Sequence, residues 1–83
     1  MLMTENPMDV GTQPLDQIMA DHGMTNHTLV AASGELITHK MVQRARKGRR
    51  LTKRTQDKVL RALNKASPER SYERQEIFTY TGT

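Results

Sequence analysis

Apolar positions recur along this chain at helical spacing, and small polar residues or glycines punctuate each run. Leu15, Ile18, Met19 and His22 fall at i, i+3, i+4 and i+7, one face of a helix opened by Pro14. Gly23 fits the left-handed position just past its end, with Met24 placed to close the apolar contact beyond it. Thr25 is the expected N-cap of a second helix carrying Leu29, Val30, Ala31 and Ala32. That helix ends either at Gly34, as its C′ residue, or beyond it near Glu35. Leu36 and Ile37 follow in a connection and are expected to plug the core. Thr38 caps a third helix over residues 39–47, closed by Gly48, with Met41 or Val42 and Ala45 turned inward. Gly48-Arg49-Arg50-Leu51 reads as a short basic loop anchored by Leu51. Thr52 then caps a fourth helix whose stripe is Val59, Leu60, Ala62, Leu63 and Ala66. Ser67-Pro68 interrupts it. Beyond, Ser71 is the expected cap of a last short helix over residues 72–78 with Ile77 and Phe78 buried, a β-like tail being the alternative. Residues 1–13 show no period around Pro7 and Gly11 and read as a disordered lead-in.

Composition agrees with an all-α chain. Hydrophobic residues are 35% and aromatic residues 4% of 83, too few strand formers for a sheet and enough for one small core. The expected architecture is a bundle of four to five helices, with residues 14–66 as the domain proper and 67–83 as an extension. No apolar run is long enough to cross a bilayer, and no basic flank followed by an apolar block opens the chain, so a cytoplasmic location is expected. The absence of cysteine excludes disulfides, thiolate metal sites and thiol nucleophiles. No Ser/His/Asp or paired-carboxylate constellation stands out. The expectation is a protein that is not an enzyme, with no catalytic residue, no cofactor and no small-molecule ligand. His22, His27 and His39 lack zinc spacing and read as one half-buried and two surface histidines, with no metal.

Charge changes the picture more than composition does. Residues 1–39 hold five acids and no Lys or Arg; residues 40–65 hold eleven Lys/Arg and one acid, Asp57. The net +4 of the whole chain therefore hides a single strongly basic stretch, which attracts a polyanion at long range. That stretch contains the third helix. With Val42 and Ala45 inward, His39, Lys40, Gln43, Arg44 and Arg46 face out.

The segment Thr38-His-Lys-Met-Val-Gln-Arg-Ala-Arg-Lys-Gly48 resembles the recognition helix of lambda-repressor-like helix-turn-helix proteins, including the Xre and LacI groups. In that pattern a small polar cap is followed by apolar residues four and seven positions on and a glycine ten positions on, here Thr38, Val42, Ala45 and Gly48. Leu51-Thr52-Lys-Arg-Thr55-Gln-Asp-Lys-Val59-Leu60 resembles the LacI-type stretch after that helix, and Thr25-Asn-His-Thr-Leu29 the capped start of the positioning helix. The likeness spans residues 14–66. Two departures stand out. Matching Gly34 to the family's turn glycine makes the connection two residues too long; an ungapped match puts Leu36 in that glycine's place.

The resemblance implies a small transcriptional regulator that lays its third helix in the major groove of double-stranded DNA, acting as a homodimer on paired half-sites. It implies His39, Lys40, Gln43 and Arg44 as base readers, with Arg and Lys suited to guanine and Gln to adenine. Thr25, Asn26, Thr38, Arg46, Lys47, Arg49, Arg50, Lys53 and Arg54 would meet phosphates. The Ile77/Phe78/Tyr80 tail is the candidate dimer contact. An RNA-binding basic protein is the first alternative, although Tyr72, Phe78 and Tyr80 all lie outside the basic stretch. An antitoxin-like module docking on an acidic protein is the second.

Overall fold

The computed structural model describes residues 10–81, all of whose regular structure is helical: α1 (Pro14–Asp21), α2 (Asn26–Ala32), α3 (His39–Lys47), α4 (Lys53–Ala66) and α5 (Arg74–Ile77). The helices close a ring. α1 packs on α3, α3 on α2, α2 on α4, α4 on α5, and α5 returns to α1, while α3 also meets α4. The enclosed core is Leu15, Met19, Leu29, Ile37, Val42, Ala45, Val59, Ala62 and Leu63, extended by Tyr72, Ile77 and Phe78. Each buried apolar residue of α3 and α4 falls where the apolar spacing predicts it. No helix among the described residues is long and apolar enough to cross a membrane.

Local signals set most helix ends. After α1, Gly23 takes φ +67°, the Gly23 amide donates to the Ala20 carbonyl, and the Met24 amide donates to the Met19 carbonyl at 2.8 Å. This is the paired-bond closure that a left-handed glycine permits. Thr25 and Thr28 cap α2 reciprocally: the Thr25 hydroxyl accepts from the Thr28 amide, and the Thr28 hydroxyl from the Thr25 amide at 3.0 Å. α3 ends at Gly48, φ +93°, where a side chain would place its Cβ 1.7 Å from the Gly11 carbonyl oxygen. Glycine is required there twice over, by conformation and by contact.

That contact revises the expected lead-in. Residues 1–9 lie outside the described residues, but residues 10–13 are held along the end of α3. Val10 donates to the Gly48 carbonyl at 2.8 Å and Gln13 to the Arg46 carbonyl at 3.0 Å. The Gln13 side chain is buried and its carbonyl accepts from both the Thr79 amide and the Thr79 hydroxyl. One glutamine thus ties the start of the domain to its end.

Three further expectations are corrected. α2 stops at Ala32 with Ser33 as its C-cap, the boundary that a C′ Gly34 gives, and does not run on to Glu35: Ser33 turns to extended backbone and its hydroxyl bridges the Glu35 amide and carbonyl at 3.0 Å each. Gly34 does not take the left-handed C′ conformation. In the connection that follows, Ile37 plugs the core but Leu36 is 81% exposed: consecutive residues of extended chain point opposite ways, so only one can be inward. Lastly, α5 is capped at Glu73 rather than Ser71, with the Glu76 carboxylate accepting from the Glu73 amide at 2.8 Å.

The extension is part of the fold. The Asn64 carboxamide on α4 pairs with the Tyr72 backbone in both directions, at 2.7 and 3.1 Å, and Arg74 bonds Asp57 at 3.0 Å. Ile77 and Phe78 are buried within this one chain. The tail proposed as a dimer contact has therefore spent its two largest apolar side chains internally.

Candidate nucleic-acid interface

The site is built around α3. Thr38 caps the helix by accepting from the Met41 amide at 3.0 Å. Val42 and Ala45 are fully buried, which fixes the helix about its axis and leaves His39, Lys40, Gln43, Arg44 and Lys47 exposed in a band. All four residues expected to read bases therefore lie on the outward side. α2 runs across the start of this band. His27, near the start of α2, stacks on His39 at the start of α3, with ring centroids 5.6 Å apart and planes at 12°. Asn26 donates to Gln43 at 2.9 Å.

The residues expected at phosphates divide into two groups. Lys47, Arg49, Lys53 and Arg54 are exposed, and like Lys40 and Arg44 they make no ion pair among the described residues. The others have internal work. Arg46 donates from Nε to Asp16 on α1 at 2.7 Å and from Nη1 to Asn26 on α2 at 2.8 Å, with only 20% of its side chain exposed. Reaching a phosphate would break a three-helix junction, so Arg46 reads as a strut. Asn26 has both ends of its amide committed, one to Arg46 and one to Gln43. The Thr25 and Thr38 hydroxyls are engaged in their caps. Arg50 lies over the Tyr80 ring, 5.6 Å from its centroid.

Tyr80, expected from the sequence in a dimer contact, instead holds the basic loop. Its hydroxyl accepts from the Leu51 amide at 2.9 Å and donates to the Arg49 carbonyl at 3.2 Å. It therefore braces the basic loop between α3 and α4 from behind. Nothing local in the sequence signals this, since the two segments are about thirty residues apart.

The electrostatics of the helix starts are unusual. A helix N-terminus carries partial positive charge, and acids are its natural neighbours. α1 has Asp16 there, whereas the first turns of α2, α3 and α4 have no acid. In their place stand Lys40 on α3 and Lys53 and Arg54 on α4. Each opposes the helix dipole by roughly 0.3–1 kcal/mol, a local conflict that an external anion relieves.

The second half of α4 behaves otherwise. Arg61 donates to the two Glu35 carboxylate oxygens from Nε and Nη2, the latter at 2.8 Å. That hydrogen bond, with smaller contributions from the charges of Arg61, Lys58 and Lys65, holds the Glu35 carboxyl below its ordinary value. The Arg61 bonds therefore tie the 33–38 connection to α4, with Lys58 and Lys65 adding to the field at Glu35. Among the described residues no group of three or more His, Cys, Asp or Glu could hold a metal.

Comparison with family models, with curated proteins and with solved structures gives no match for this chain.

Proposed function

We propose that the protein binds double-stranded DNA, laying the outer side of α3 in the major groove, as a small transcriptional regulator. The observation that carries this reading is the exposed band of α3, with Lys40, Arg44 and Lys47 free of ion pairs among the described residues, on a helix whose other side is locked by Val42 and Ala45. A helix so held presents its cations as a rigid set, the arrangement groove recognition needs. Arg44, Lys40, Gln43 and His39 meet base edges. Lys47, Arg49, Lys53 and Arg54, at the end of α3 and the start of α4, meet phosphates on the groove's rim. An RNA mode based on base stacking finds less support, because Tyr72 and Phe78 are buried and Tyr80 is engaged behind the basic loop.

Titration of a fluorescent random-sequence duplex at several salt concentrations tests the proposal. Four to six phosphate contacts give a slope of log K against log salt of about −4 to −5. Arg44→Ala leaves binding to random DNA nearly unchanged and weakens binding to a selected site. No binding at low salt rejects the reading.

A homodimer on paired half-sites is the second part of the proposal. It meets through surfaces other than Ile77 and Phe78, which are internal. Sedimentation with and without a two-site duplex decides it: one copy per duplex throughout removes the dimer.

A further inference from the structure

Four side chains form a continuous hydrogen-bonded chain from α1 to the outer side of α3. The Asp16 carboxylate accepts from Arg46 Nε at 2.7 Å, Arg46 Nη1 donates to Asn26 Oδ1 at 2.8 Å, and Asn26 Nδ2 donates to Gln43 Oε1 at 2.9 Å. The direction of this chain is dictated by its first members. A carboxylate only accepts and a guanidinium only donates. The Asn26 amide, whose two ends are nearly alike in shape, must therefore turn its oxygen to Arg46 and its nitrogen to Gln43. Gln43 must in turn face Asn26 with its oxygen, which leaves its NH₂ group outward.

From this we infer that Asn26 is a positioning residue that sets the polarity of Gln43, so that Gln43 reads hydrogen-bond acceptors in the groove. The inference deepens the DNA-binding reading and rests on it. An unrestrained glutamine offers oxygen and nitrogen together and suits adenine, which shows N7 as acceptor and N6 as donor. A glutamine whose oxygen is held by Asn26 offers mainly its NH₂. Guanine, with N7 and O6 side by side as acceptors, is the base that matches it. The expectation from residue type alone, adenine, is thus reversed by a partner on another helix. The Asn26 end is firm: Arg46 is half-buried and held by Asp16, so the Asn26 amide cannot turn over without breaking a charge-assisted bond, and Gln43 keeps its bond to Asn26 only with its oxygen inward.

The decisive variant is Asn26→Asp. A carboxylate at this position still accepts from Arg46 but no longer donates, so Gln43 must swing its nitrogen inward and present its oxygen to the groove. The experiment selects bound sequences from a randomised duplex library for the wild type, Gln43→Ala and Asn26→Asp, after the wild-type salt titration has established binding. Gln43→Ala identifies the base pair that Gln43 reads, by flattening the preference there. At that pair the wild type favours guanine over adenine by about five- to tenfold, a modest share of what a full bidentate contact gives. Asn26→Asp moves the preference to a donor edge, adenine or cytosine, and leaves other positions unchanged. Its added charge lowers affinity for all sequences alike, which is why the readout is a preference.

If Asn26→Asp does not fold, Asn26→Ala serves in its place. It releases Gln43 to use both amide atoms, and the preference moves from guanine to adenine. Guanine retained in either variant, or no position affected by Gln43→Ala, overturns the inference while leaving DNA binding intact. Failure of the wild type to bind any duplex at low salt removes the underlying reading, and the inference with it.

Discussion

From Lys40 to Arg54 the exposed cations Lys40, Arg44, Lys47, Arg49, Lys53 and Arg54 make no ion pair among the described residues, and three of them crowd the starts of helices. From Lys58 to Lys65 the cations instead gather round Glu35, Arg61 by direct hydrogen bonds and Lys58 and Lys65 through space. The two regions belong to one basic stretch and carry one sign of charge. In the first, these six cations meet no acid among the described residues, and the three at helix starts oppose the local dipole. In the second, the Arg61 bonds tie the α2–α3 connection to α4. Charge counted along a chain therefore marks where a polyanion is attracted, and pairing in the fold marks where it is met.

Substitutions in and around the two regions should differ in the size of their effects. The largest effect is expected in the core behind the second region. Leu63→Ala, at a fully buried α4 position, should lower stability by about 2–5 kcal/mol in a denaturant melt, whereas Arg44→Ala should change it by no more than about 0.5 kcal/mol. Similar losses in both would mean that Arg44 carries structural load and that the first region is not a free face.

Next comes the turn that closes α3 within the first region. Gly48→Ala should cost about 1–3 kcal/mol from backbone strain alone, and more from the overlap with Gly11. It should also lower DNA affinity by displacing the 49–52 loop. Thermal melting that matches the wild type would contradict the described closure of α3.

Between the two regions lies a buried polar side chain without a partner among the described residues. Gln56, in the first turn of α4, is fully buried and neither amide atom is hydrogen-bonded. Such a group costs about 1–3 kcal/mol, so Gln56→Leu should raise the unfolding midpoint. A lower midpoint would show that the amide has a partner in solution.

The smallest effect is the pH dependence of the Glu35–Arg61 bond. The folded carboxyl lies below its ordinary value of 4.5, chiefly through the Arg61 hydrogen bond. Its contribution is complete above that ordinary value and is lost as pH falls through the lower folded one. The difference in denaturant midpoint between wild type and Glu35→Gln should therefore narrow between pH 6 and pH 3, estimated as a small effect because the pair is exposed, roughly the scale of a surface ion pair. A constant difference would remove the charge pairing from the account.

What could be read in the chain was whatever a few neighbouring residues decide. Thr38 and Gly48 bound α3, and Gly23 with Met24 closes α1, because caps and left-handed glycines act within one turn. The 33–38 connection was not legible. Its path depends on Arg61 and on the burial of Ile37, both decided by α4 and the core rather than by the turn residues. Nor could the roles of Arg46 and Asn26 be read, since each is set by a partner on another helix, with Asp16 thirty residues from Arg46. Gln56 was hidden for a simpler reason: polar residues on a helix are read as outward, and this one is not.

On the proposed reading the first region, and not the whole basic stretch, meets DNA. Two triple variants remove the same charge: Lys47→Gln/Lys53→Gln/Arg54→Gln from the first region, and Lys58→Gln/Arg61→Gln/Lys65→Gln from the second. Each is compared with the wild type in salt-dependent binding to a random duplex. The first variant should flatten the slope of log K against log salt by about 2–3, near one for each lost phosphate contact, while the second keeps the wild-type slope. Equal flattening in both would show that net charge alone governs binding and would contradict the assignment of the interface to α3 and the start of α4.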